Sequence, residues 1–145
     1  MLTLDTLDFL TSDSGARLLA ALAQEDLSDA HTLALLTRLR REYAPQDAAA
    51  ALELAQLRLK AVDKFGADAA RLYFTRAALE QASDPLTRRY RAQAAAGLRV
   101  VDACCGIGAD TVALAQAGAA ALGLDPDPLR VRMAACNAAA LGCEA

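Results

Sequence analysis

What this chain of 145 residues lacks narrows it first. No uninterrupted apolar run reaches the roughly 18 residues that a membrane span needs, because Asp, Arg or Gln recurs throughout. Met1 to Leu10 holds Asp5 and Asp8 and no basic side chain, so the positively charged start of a secretory signal is missing. The location expected is cytoplasmic. Only four cysteines occur, Cys104, Cys105, Cys136 and Cys143, and no two form a C-x-x-C pair, which argues against a metal site and against a disulfide framework. The one histidine, His31, has no motif around it and reads as a surface residue in a helix's first turn. Acidic residues outnumber basic ones, 18 to 15, so no general basic field is present to hold nucleic acid. Two local clusters, Arg38, Arg40 and Arg41 and then Arg88, Arg89 and Arg91, read as solvated helix faces. Lysine is scarcest among the basic residues, with Lys60 and Lys64 alone.

What is present is a globular composition, 55% hydrophobic and 23% charged, amounting to about one domain's worth of chain. Over residues 1–96 the pattern is helical. Thr11 to Ser14 is rich in N-cap residues, and Leu18, Leu19 and Leu22 follow at helical spacing. Ser28 or Asp29 starts a second helix lined by Leu33, Leu36 and Leu39. Pro45 suits the first position of a long helix carried by Ala48, Leu52, Ala55, Leu59 and Val62, and Gly66 ends it. Leu2 to Leu10 alternates only loosely. Thr75 caps a short helix that includes Glu80, and Asp84-Pro85 opens another that Gly97 ends.

The chemically informative stretch runs from Leu98 to Leu129. A short apolar run ends in Asp102, passes through a turn containing Gly106 and Gly108, continues as a helix from Asp110 to Ala117, and returns in a second apolar run, Ala121 to Leu124, that ends in Asp125. A last helix then runs from Leu129 to Leu141. This is a strand, glycine turn, helix, strand, helix unit over residues 97–145. Glycine at 106 and 108 permits positive φ and lets a ligand approach the main chain. Asp125 is placed to accept hydrogen bonds from a ribose diol. Asp102 is placed either to receive a cationic part of a ligand or to tie down the turn's own amides. A dinucleotide fingerprint requires a third small residue where Thr111 stands, and a carboxylate before the turn repels pyrophosphate. That carboxylate suits a cofactor carrying an ammonium and a sulfonium.

On these residues the stretch resembles class I S-adenosylmethionine-dependent methyltransferases. Asp102 to Gly108 is similar to their first motif, with Cys104 where the first glycine usually stands, and Leu124-Asp125 is similar to their second. D-A-C-C-G-I-G-A-D followed by L-D-P-D-P resembles a narrower bacterial branch, related to trimethylguanosine synthase and to RNA guanine methylases with a THUMP-like tail. The resemblance implies an α/β fold in which a helical bundle precedes the first βαβα part of a Rossmann-like methyltransferase sheet. It implies S-adenosyl-L-methionine as cofactor, with Asp102 near the methionine amino group and Gly106 and Gly108 under the cofactor. Cys104, Cys105, Ile107 and Asp110 of the same turn, and Pro126, are expected to bind the cofactor with them, and Asp125 is implied on the ribose. It also suggests that Phe74 to Ser83 folds over the pocket, with Phe74, Thr75 and Glu80 as a lid, against the alternative that Tyr73 and Phe74 are core.

The four prolines are Pro45, Pro85, Pro126 and Pro128, so the D-P-P or N-P-P of a methyl-acceptor site does not occur and no catalytic residue is nominated. The expectation is the amino-terminal, cofactor-binding part of an RNA methyltransferase, without turnover of its own. Cys143-Glu144-Ala145 reads as the approach to a third strand. Open strand edges and the apolar face of Leu129 to Leu141 suggest self-association as a homodimer. The alternatives are a helical protein-interaction module carrying a vestigial nucleotide fold, and a nicotinamide-dependent oxidoreductase fragment, which Thr111 and Asp102 disfavour.

Overall fold

A computed structural model describes residues 2–143, so Glu144 and Ala145 of the expected third-strand approach lie outside the described residues. The chain divides into two compact units, one ending at Lys60 and one beginning at Ala61, with the boundary inside a long helix. No helix among the described residues is long and apolar enough to cross a membrane.

The first unit is helical and comprises α1 (Leu4–Thr11), α2 (Asp13–Leu22), α3 (Asp29–Leu39) and most of α4 (Pro45–Phe65). The loosely alternating start is a helix because its end is capped twice. The Thr3 N–H donates to Thr6 Oγ1 at 2.8 Å and the Thr6 N–H donates back to Thr3 Oγ1 at 3.3 Å. Leu7 and Leu10, three residues apart, are then buried together. In α4 the expected inward stripe holds at Ala48, Leu52 and Ala55 but not at Leu59 and Val62, which are exposed. A second stripe, Ala50, Leu54, Leu57 and Ala61, is buried instead.

The second unit mixes helix and sheet. After α4, a 3-10 turn over Gly66–Arg71 leads to α5 (Arg76–Gln81) and α6 (Pro85–Ala94). Then come β1 (Arg99–Ala103), α7 (Ala109–Gln116), β2 (Ala120–Leu124) and α8 (Pro128–Ala140). The strands pair in parallel, Arg99 opposite Ala120 and Ala103 opposite Leu124, with α7 as the crossover. Alternation splits the sheet into two faces: Val101, Leu122 and Leu124 are exposed, while Val100, Asp102, Ala121 and Gly123 are half-buried. The core holds Leu72, Phe74, Ile107, Val112 and Met133. Phe74 packs on Phe65 with ring centroids 5.3 Å apart, and the Arg88 guanidinium lies over the Phe65 ring, 4.2 Å from its centroid.

Candidate functional site

The turn between β1 and α7 carries the local strain of the unit. Gly106 and Gly108 both take positive φ, 58° and 78°, and Cys104 takes 65°, the one non-glycine residue in that region among the described residues. The glycine usual at this place in the resembled motif is thus explained: an L side chain there costs about 1–2 kcal/mol. The two glycines serve different ends. A Cβ on Gly106 would meet nothing within 4 Å, whereas one on Gly108 would stand 2.9 Å from Ala134 Cβ of α8. Gly108 is therefore required for helix packing, and Gly106 leaves bare backbone facing open space.

That space is a hollow of about 270 Å³ beyond the carboxyl ends of the strands, bordered by Asp102, Cys104, Cys105, Gly106, Ile107 and Asp110 from the turn. Arg91 and Arg130 add cations, and Ala78, Gln81, Ala82 and Ser83 close one side. Gly108, Asp125 and Pro126 do not border it. A larger cavity of about 400 Å³ opens on the other side of Ile107, lined mostly by apolar groups such as Phe65, Leu72 and Val112, and meets neither Asp102 nor Gly106.

The two strand-tip carboxylates have distinct duties. Asp102 Oδ2 accepts from the Thr111 hydroxyl at 2.6 Å, and the residue borders the hollow. Asp125 spends Oδ2 on the Gly106 N–H and Oδ1 on the Asp127 N–H, each at 3.0 Å, and its side chain is only 2% exposed. Arg130 lies against it, with Nη1 4.0 Å from Asp125 Oδ2 and Nε 3.7 Å from Asp127 Oδ2. The expectation that Asp125 presents itself to a ribose therefore meets a carboxylate already engaged with main-chain amides. Asp110, in the first turn of α7, accepts from Ser83 Oγ at 2.7 Å and from Arg91 Nη1 at 3.2 Å. Burial, and then the nearby carboxylates of Asp102 and Asp125, push the Cys105 thiol up, which keeps it protonated and unsuited to nucleophilic work.

Of the segment expected to fold over the pocket, Ala78, Gln81, Ala82 and Ser83 border the hollow, and the three residues singled out as a lid do not. Phe74 is core, the Thr75 hydroxyl accepts from the Ala78 N–H as the α5 cap, and Glu80 is exposed; none of the three borders the hollow. Two residues that spacing did not single out hold the site together. Lys64 Nζ donates to the carbonyls of Leu79, Glu80 and Ala82 at 2.9, 3.0 and 2.8 Å, gathering the end of α5. A compact ammonium with three donors suits converging carbonyls better than a planar guanidinium, so a rare lysine in an arginine-preferring chain was the available signal. Asn137 of α8, 3% exposed, donates to the carbonyls of Ile107 at 2.9 Å and Tyr73 at 3.1 Å, and accepts from the Tyr73 N–H at 2.8 Å. An amide amid the alanines of α8 was its only mark in the sequence.

Comparison with known proteins adds three findings. Residues 3–61 match a family model described as a domain of unknown function (DUF8688). Two proteins of Mycobacterium tuberculosis, strains CDC 1551 / Oshkosh and ATCC 25618 / H37Rv, are each 40% identical over 99 residues, covering 65% of this chain. Both are named uncharacterized S-adenosylmethionine-dependent methyltransferases. The chain spans 28% of the length of these relatives. No solved structure matches.

Proposed function

We propose that residues 97–145 are the cofactor-binding portion of a cytoplasmic S-adenosylmethionine-dependent methyltransferase with a Rossmann-like sheet, and that the methyl acceptor is RNA. The position of the hollow carries the reading: it lies past the carboxyl ends of two parallel strands joined by a crossover helix, where open α/β sheets take their ligands. The residues there fit the cofactor. Asp102 offers a carboxylate to its ammonium, and the space beside Gly106 lets it approach the main chain. Asp125 acts at one remove, holding the Gly106 amide in place. When bound, the cofactor supplies a methyl group made electrophilic by sulfonium; the chain's own residues bind and orient it. The names of the two mycobacterial relatives support the cofactor and the reaction class, and the likeness of Asp102 to Asp110 to the RNA-directed branch supports the acceptor.

Thermal-shift measurement with S-adenosylhomocysteine, NAD and buffer tests this. Selective stabilisation by S-adenosylhomocysteine is expected, and Asp102→Ala should remove the shift while leaving the fold intact. Stabilisation by NAD, or by neither ligand, would overturn the reading. The exposed sheet face of Val101, Leu122 and Leu124 is the surface through which two copies would associate. Light scattering at micromolar concentration should give a dimer that Leu122→Lys dissociates; a wild-type monomer removes the idea.

A further inference from the structure

We infer that the outward face of α6 is a docking strip for single-stranded RNA, an inference that rests on the acceptor class proposed above. Leu86, Arg89, Tyr90 and Gln93 fall at i, i+3, i+4 and i+7, so they share one side of the helix, and all four are exposed. Leu86 is 79% exposed and Tyr90 76%. An aliphatic and an aromatic residue four apart on a helix ordinarily mark its buried face. Here the buried side is Ala92, with Arg88 half-buried over Phe65. Among the described residues no hydrogen bond or ring contact holds the Tyr90 side chain.

The chemistry of the strip selects its occupant. α6 carries three arginines and no carboxylate in a chain whose net charge is -3, and one of the three lies on the strip. Arg88 is turned inward, donating to the Lys64 carbonyl, and Arg91 is committed to Asp110 and borders the hollow. Arg89 remains on the outward side beside Tyr90. A phenol ring offers a stacking surface to a base, a guanidinium offers charge to a phosphate, and the Gln93 amide offers both a donor and an acceptor. A docked protein helix would require more apolar surface than Leu86 and one ring supply. None of the four strip residues borders the hollow, but Arg91, the residue after Tyr90 on the same helix, does, so the strip and the proposed cofactor site share α6.

The test is fluorescence anisotropy of the full chain with a labelled single-stranded RNA of about a dozen nucleotides, at two salt concentrations. Binding should weaken with salt. Tyr90→Ala and Arg89→Glu should each weaken it about tenfold, while Tyr90→Phe, which keeps the ring, and Arg41→Glu in the first unit leave it near wild type. Unchanged circular dichroism guards against a folding defect. Wild-type affinity in Tyr90→Ala and Arg89→Glu overturns the inference, as does self-association of the chain that Leu86→Glu abolishes, because the strip's occupant is then a second copy. Thermal shift with S-adenosylhomocysteine on the same samples separates the two ideas: cofactor binding without RNA binding removes the strip alone, and RNA binding without cofactor binding removes the cofactor reading.

Discussion

The Asp125 carboxylate accepts a hydrogen bond from the main-chain N–H of Gly106 at 3.0 Å, so the tip of the second strand fastens the turn that leaves the first. The parallel register makes this contact. Ala103 pairs with Leu124, the Cys105 N–H donates to the Leu124 carbonyl at 2.8 Å, and one residue beyond that bond on each side, past the strand ends, Gly106 and Asp125 meet.

Removing that carboxylate should therefore loosen the turn. Asp125→Ala leaves the amides of Gly106 and Asp127 without their acceptor and is expected to cost about 2–3 kcal/mol, because hydrogen bonds to charged groups are the stronger kind. Asp125→Asn retains one acceptor oxygen and should cost roughly half as much. Urea unfolding checks both. An alanine variant as stable as the wild type would mean that the brace is incidental.

The two turn glycines should respond differently to a methyl group. Gly106→Ala meets no neighbour and bears the positive-φ cost of about 1–2 kcal/mol, offset by about 0.5–1 kcal/mol of glycine's freedom in the unfolded chain. Gly108→Ala adds a clash with Ala134 Cβ at 2.9 Å and should lose about 1–3 kcal/mol beyond that. Pairing it with Ala134→Gly should recover part of the loss, a coupling that a double-mutant cycle on unfolding free energies would register. Strict additivity would refute the contact.

Cys104→Gly should raise stability. The left-handed conformation costs a side chain about 1–2 kcal/mol, while glycine's extra freedom in the unfolded chain costs about 0.5–1 kcal/mol. The balance favours glycine by some tenths of a kcal/mol to about 1 kcal/mol. A lower denaturation midpoint in this variant would show that Cys104 makes compensating contacts.

Cys105 gives the alkaline limb a definite sign. Its folded thiol is pushed above the ordinary 9.0, so its contribution is fully present below pH 9.0 and is lost as pH rises through the folded value. Wild-type stability should thus fall more steeply above pH 9.0 than that of Cys105→Ala, measured by denaturation at a series of pH values. Below pH 9.0 an alkylating reagent followed by mass spectrometry should mark exposed Cys104 and spare buried Cys105. Prompt labelling of Cys105 at pH 8 would contradict its burial.

Much of the second unit could be read along the chain, and the misreadings are instructive. Asp102 and Asp125 were both legible as strand-tip carboxylates, yet tying down a turn amide, one of the two duties left open for Asp102, belongs to Asp125. Thr111 reads as a defect in a dinucleotide fingerprint, since the third small residue there permits close helix-to-strand packing. The structure supplies that small residue on the strand instead. A Cβ on Gly123 would stand 3.0 Å from Thr111 Oγ1 and 3.1 Å from Cys105 Sγ, so the helix keeps a hydroxyl for Asp102 and the strand yields the space.

Sequence alone was sufficient for the order of strands and helices around the glycine turn and for the positive φ at Gly106 and Gly108, because periodicity, capping and backbone sterics act between residues a few places apart. It could not assign which residues face the hollow. Phe74 went to the core and Gln81 and Ser83 to the rim, Lys64 gathered three carbonyls 15 to 18 residues away, and Asn137 joined Tyr73 to Ile107 across 64 and 30 residues. Such partners are set by packing and by the need of buried polar groups for hydrogen bonds, and neither leaves a period in the chain.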